Sequence, residues 1–145
     1  MKLPMLYETM GSADPVVFRA GSSEGILLHF GTMAAAQKAS IGRDIHRGIL
    51  KLNSPATMVD SGRSHNINPV ALAQDIVAGN NPGITADLIP VIKKILDNKG
   101  IKAAFEGIRD ALKNHEYDGV AYVNTNEDPG SISYIALDGN QFMKG

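Results

Sequence analysis

All of the long helical periodicity in this chain lies in one block, Asn68 to His115, and the residues on either side offer only short apolar runs. Ala104, Phe105, Ile108, Ala111 and Leu112 recur at three- and four-residue intervals, which predicts a helix from Lys102 to His115. Leu88, Ile89, Ile92, Ile95 and Leu96 share a face of a second helix, with Thr85 as its expected cap, Pro90 near its first turn as a source of bending, and Gly100 at its end. Asn68-Pro69 opens a third, because Asn caps well and a proline at the first helical position gives up an N–H that has no partner there. This helix is expected to run to Ala78 and stop at Gly79.

The flanks read as strands. Val16 to Arg19 is a short run that ends at the flexible Ala20-Gly21-Ser22-Ser23. Ile26 to Phe30 is continuously apolar but for His29 and predicts a buried strand. Gly31-Thr32 breaks it, and Thr32 can cap the Ala-rich helix Met33 to Ala39. Ile45 to Leu52 is a third strand candidate, and Asn53 to Asn66 reads as a polar loop. After the helical block, Val120 to Asn124 and Ile132 to Leu137 form a strand pair around the polar loop Thr125 to Gly130, closed by Asp138-Gly139. Strands, then helices, then strands imply an α+β domain rather than alternating βαβ units. The reading is one domain over residues 1–145, with residues 1–14 as an irregular leader.

Several function classes find no support. The formal charge of -1 gives no net steering field for nucleic acid, though a local basic patch stays open. With no cysteine there are no disulfides and no thiolate metal sites. No apolar run approaches the roughly 20 residues that span a bilayer, and the start lacks a signal-peptide apolar region, so the expectation is a soluble, cytoplasmic protein. The four histidines show no helix-face pairing, so no metal centre is expected. Ser64-His65 are adjacent, but adjacency is not triad geometry, and no nucleophile elbow is present. The chain lacks both glycine-rich phosphate motifs. Lys93, Lys94, Lys99 and Lys102 fit solvated helix faces, and with no tryptophan stacking platforms are sparse.

What remains is Arg19, His29 and the Glu127-Asp128 loop. Each has a plain structural reading: a strand-end arginine with its head in water, a hydrogen-bonded core histidine, and a hairpin loop that is acidic because loops are polar. Taken in order, however, Phe18-Arg19-Ala20-Gly21-Ser22, then Gly25 to Thr32, then Tyr117 to Phe142 with Asn124, Glu127, Gly130, Ser133-Tyr134-Ile135 and Gln141 resemble a known family. They are similar to the ADP-ribosyltransferase domains of phage and mobile-element polyvalent proteins, and more distantly to the poly(ADP-ribose) polymerase catalytic domain. The helical stretch Asn68 to His115 matches in type only.

The resemblance implies an ADP-ribosyltransferase-like fold, a split mixed sheet with an inserted helical section. It implies NAD as substrate, no metal, and a macromolecular acceptor, a protein before a nucleic acid. It also implies cleavage of the nicotinamide–ribose bond through an oxocarbenium-like transition state. Arg19, Ala20, Gly21 and Ser22 would line the nicotinamide and phosphate side, and His29, Phe30, Gly31 and Thr32 the second motif. Tyr134 is carried over as a further NAD contact. Glu127 would be the carboxylate that bonds the ribose and stabilises growing positive charge, with Asp128 as the neighbour able to substitute. Two departures stand out: Ala20 where the polymerase branch has histidine, and Ser133 where it has its glutamate. They keep open a catalytically inactive relative that binds a nucleotide or a protein. An unrelated α+β interaction protein is the third reading. The family's distribution points to a phage or mobile-element effector acting in host cytoplasm.

Overall fold

The computed structural model describes residues 14–145 except Ser23 and Ile41, so the leader expected over 1–14 lies, Asp14 apart, outside the described residues. In chain order the elements are β1 (Val16–Ala20), β2 (Ile26–Phe30), α1 (Met33–Ser40), β3 (Ile45–Leu50), β4 (Pro55–Thr57), α2 (Pro69–Ala78), α3 (Leu88–Lys99), α4 (Ile101–Asn114), β5 (Gly119–Val123), β6 (Ile132–Asp138) and β7 (Phe142–Lys144). The protein is α+β, with two sheets and four helices among the described residues.

One sheet has the order β1-β3-β7 and the other β2-β6-β5-β4. All pairs are antiparallel except β4 with β5. The sheets meet where the Phe18 and Gly31 amides exchange hydrogen bonds of 2.8 and 3.0 Å. The larger sheet is covered on both faces. Leu27, Val120, Tyr122, Ile135 and Leu137 face Leu72, Ile76, Ile92, Ile108 and Leu112 of α2, α3 and α4. The alternate residues Leu28, Phe30, Ala121, Tyr134 and Ala136 pack with Val17, Leu50, Leu52 and Phe142 of the smaller sheet's side. Burial on both faces is why β2, β5 and β6 read as continuous apolar runs rather than alternating ones.

The helices begin for local reasons. The Asn68 side chain accepts from the Ala71 amide at 3.0 Å, and Thr32 Oγ1 accepts from the Ala35 amide at 3.1 Å. Thr85 does not cap α3. That helix starts at Leu88, and Thr85 contributes only its carbonyl, which accepts from the Leu88 amide. Pro90 stands in the first turn, where its missing N–H would have had no intrahelical acceptor.

Two strands escape sequence reading. β4 is a three-residue strand inside the expected polar loop. It is drawn to β5 by Asp118, whose carboxylate accepts from the amides of Asn53 (2.6 Å) and Ser54 (2.9 Å). β7 follows the Asp138-Gly139 close. There Gln141 accepts from the Asp138 amide and donates to the carbonyls of Lys51 and Asp118, folding the chain end back onto β3.

Gly79 ends α2 with ordinary dihedrals, so its need is steric. A Cβ there would stand 2.1 Å from the Thr57 carbonyl oxygen. Gly79→Ala is expected to cost about 1–3 kcal/mol, since the clash is with backbone that cannot rotate away. Chemical denaturation of the two proteins checks it, and equal midpoints would show that α2 and β4 are not locked in this register.

Candidate functional site

The sheet's covered faces leave one end exposed. At the C-terminal ends of β2 and β5 and the N-terminal end of β6, the helix-facing side of the larger sheet runs beyond its helices. The residues in phase there are polar: His29 two after Leu27, Tyr122 and Asn124 two and four after Val120, and Ser133 two before Ile135. They line a cleft of about 680 Å³, walled also by the end of β1, by α1, by the loop Asp60 to Asn66 and by the start of α4.

Asn124 organises the acidic end. It is 2% exposed, and its Oδ1 accepts from the amides of Asn126 and Glu127, both at 2.8 Å, and of Asp128 at 3.3 Å. Its Nδ2 donates to Glu127 Oε1 and to Ser133 Oγ, both at 3.0 Å. One buried amide therefore shapes the β5–β6 loop and holds the Glu127 carboxylate at the cleft. Gly31 leaves room for this node, since a Cβ there would lie 3.0 Å from Ser133 Oγ.

Two further contacts clamp the loop. Asp60 Oδ2 accepts from the amide and hydroxyl of Thr125, both at 2.9 Å. Thr32 donates its hydroxyl to Asp128 Oδ2 at 2.5 Å while accepting from the Ala35 amide. Asp128 is thus spent on a helix cap outside the cleft lining.

Arg19 supplies the basic end. Its Nε donates to the Ser22 carbonyl (2.6 Å), its Nη1 to the His29 carbonyl (2.9 Å), and its guanidinium lies 5.7 Å from the Phe30 ring centroid. Among the described residues Nη2 has no partner. Burial, with the Arg43 charge nearby, holds its pKa below the usual arginine value.

Sequence reasoning missed the third feature. Asp75, 4% exposed on α2, holds four donors. Oδ2 accepts from the Ser61 amide (3.0 Å), the Ser61 hydroxyl (2.8 Å) and His65 Nε2 (2.5 Å), and Oδ1 accepts from Arg63 at 2.9 Å. Burial alone would raise the Asp75 pKa, but these bonds outweigh it and leave the carboxyl below its ordinary value. The signal was a lone carboxylate in the apolar stripe of α2, three residues after Leu72, where it could stand only if paired. Ligand atoms of Asp60, His65 and Asp75 lie within 4.8 Å of one another. Every carboxylate oxygen among them already accepts from a protein donor, so a cation there would have to displace those donors.

Of the residues singled out in the sequence, Arg19, Ala20, His29, Phe30, Gly31 and Glu127 line the cleft together. Gly21, Ser22, Thr32, Asp128 and Tyr134 lie off it: Tyr134 packs between the two sheets, and Ser22 holds Arg19 through its carbonyl.

No protein-family model matches the chain, and no curated protein matches it. Among solved structures, one described as "Crystal structure of an anti-CRISPR protein" aligns with 89% of this chain and 93% of that one, at 14% identity and a TM-score of 0.38.

Its electrostatics are set by what stays neutral. Burial first, then the neighbouring His65 and Arg19, pushes His29 down to about 4, against the opposing Asp60 charge and the Leu27 backbone. Burial, then Glu127 and Asp60, pushes the Tyr122 phenol well above its ordinary value, so it remains a donor. His29 makes a testable contribution. Above pH 6.5 it is neutral folded or unfolded. Between 6.5 and 4 the unfolded chain takes a proton that the folded one refuses, so stability falls with pH by at most roughly 3 kcal/mol, less because the ring is only half-buried. His29→Gln should flatten the melting temperature across that window relative to wild type. Parallel curves would remove this role; Asp75, whose contribution is lost as pH falls through and below the ordinary carboxylate range, is common to both proteins and cancels in the comparison.

Proposed function

We propose that the cleft binds NAD and that Glu127 stabilises the positive charge that grows on the ribose as the nicotinamide bond breaks. The observation that carries this reading is convergence. The consecutive segments around Arg19 and His29 to Gly31 share one cleft with Glu127, about a hundred residues further along the chain, and a buried amide fixes the carboxylate there. Arg19 offers a guanidinium for a phosphate at one end. Glu127 offers an acceptor for a ribose hydroxyl at the other. The electron pair of the broken C–N bond leaves with nicotinamide, and ADP-ribose passes to a macromolecular acceptor, a protein first among them, or to water. The ADP-ribosyltransferase-like fold belongs to the same proposal. Its support is the pair of sheets with three helices inserted between β4 and β5. A phage or mobile-element effector working in host cytoplasm is the setting this activity fits.

Ser133 favours a second reading. It stands where the polymerase branch carries its glutamate, and its hydroxyl is tied to Asn124, so the position offers no acid. If Glu127 fails to reach the ribose, the cleft binds its ligand without turnover.

Free nicotinamide released on incubation with NAD decides between them. The wild type is expected to release it, and Glu127→Gln to be slower by about 100-fold or more while keeping its fold. Equal rates would take the catalytic role from Glu127. No release by either protein, with a melting temperature raised by NAD, would leave the binding module. The absence of both effects would remove NAD altogether.

A further inference from the structure

The Asp75–His65 pair is built like a base, and the reading above gives it no task. His65 is 6% exposed, yet it lines the cleft. Its Nε2 is held at 2.5 Å by Asp75, and Asp75 is itself fixed by Ser61 and Arg63. A carboxylate only accepts, so the proton of this bond belongs to Nε2, and a ring carrying that one proton presents a bare lone pair at Nδ1. Nδ1 has no partner among the described residues, although no buried side-chain nitrogen or oxygen there lacks one. Nδ1 therefore opens on the cleft. The His65 ring lies nearly parallel to that of His29, with centroids 6.2 Å apart, which keeps both imidazoles at one floor.

The loop carrying His65 is also latched to the loop carrying Glu127, through Asp60 and Thr125. The groups around His65 are the Asp75 carboxylate and the Arg63 guanidinium that pairs with it, the Asp60 carboxylate, and His29. A purely structural histidine would be expected to turn both nitrogens into protein. This one is locked by a buried acid and shows its free nitrogen to the site.

We propose that His65, oriented by Asp75, is the general base that takes the proton of the hydroxyl acceptor attacking the ribose. The inference rests on the NAD-cleaving reading. The step balances simply. The acceptor oxygen, of water or of an alcohol side chain, forms a bond to the ribose carbon. Its proton moves to His65 Nδ1, and the C–N pair departs with nicotinamide. Glu127 and His65 then divide the work, one stabilising the cation and the other activating what captures it. Asp75 is a positioning residue.

The experiment uses His65→Gln, which leaves the Ser61 and Arg63 bonds to Asp75 in place; Asp75→Asn strikes all of them and is the variant more prone to unfold. Nicotinamide release by His65→Gln in water should fall about 100-fold at unchanged KM for NAD. Azide carries no proton to remove, so adding it should restore release in this variant and not in Glu127→Gln. Release by His65→Gln at the wild-type rate, or a loss that azide does not restore, overturns the base while leaving the NAD reading intact. If the wild type itself releases no nicotinamide, the NAD-cleaving reading fails by that result. The imidazole nitrogen NMR spectrum separates the two failures: a proton on Nε2 with a bare Nδ1 keeps the oriented His65 and removes only its NAD substrate, and a proton on Nδ1 overturns the base itself.

Discussion

A sheet covered on both faces tolerates polar side chains only where its cover ends, and that constraint locates the polar residues that the larger sheet gives to the cleft. Strands β2, β5 and β6 are sealed by α2, α3 and α4 on one side and by the smaller sheet on the other. A buried polar group left unpaired costs more than most single interactions return. His29, Tyr122, Asn124 and Ser133 therefore share the one end where the helical layer stops, and Asn124 and Ser133 satisfy each other. Period two along each strand brings them to the same face, and register sets them close together at that end: Tyr122 opposes Ser133, and His29 opposes Ile135, two residues further along β6.

The outline of this arrangement was open to sequence reading because it rests on local chemistry. Periodicity located the helical block, the apolar runs located β1, β2, β5 and β6, and Asn68-Pro69 started α2 where it starts. What escaped depends on partners distant in the chain. Pro55 to Thr57 has no strand signature, and only Asp118 gathers its backbone to β5. Thr85 looked like a cap, but a cap is defined by which amide it meets, and the chain turns once more before α3 begins. Asp75 and His65 lie ten residues apart on a helix and a loop, and no spacing rule joins them. Asn124 was visible within a motif, yet nothing in the string of letters shows a buried amide holding three backbone donors.

The β5–β6 loop shows how a flexible-looking segment becomes a rigid support. Thr125-Asn126-Glu127-Asp128-Pro129-Gly130 is polar throughout and has the composition of a mobile turn. It is nevertheless gripped from within by Asn124, from one side by Asp60 and from the other by Thr32. Each such bond contributes on the order of 1 kcal/mol. Their joint effect is positional, because three anchors on different elements leave the Glu127 carboxylate little freedom. Pre-organisation of this kind is what an electrostatic contribution to catalysis requires.

The charge state of the cleft floor follows from the same packing. A protonated His29 beside Arg19 and His65 would add positive charge where the proposed reaction would form a cationic ribose. Burial and those very neighbours hold His29 neutral, and burial, aided by Glu127 and Asp60, keeps Tyr122 protonated. The floor then holds neutral hydrogen-bonding groups, and the carboxylates of Asp60, Glu106 and Glu127 and the cations of Arg19, Arg43, Arg63 and Lys102 stand around it. A cleft with charges of both signs around a neutral floor is compatible with the phosphate and the cationic carbon that the proposed reaction would require. The clamped loop and the neutral histidine follow from folding one doubly covered sheet, and the Asp75–His65 pair from the helix packed on it; the proposed reaction would use all three.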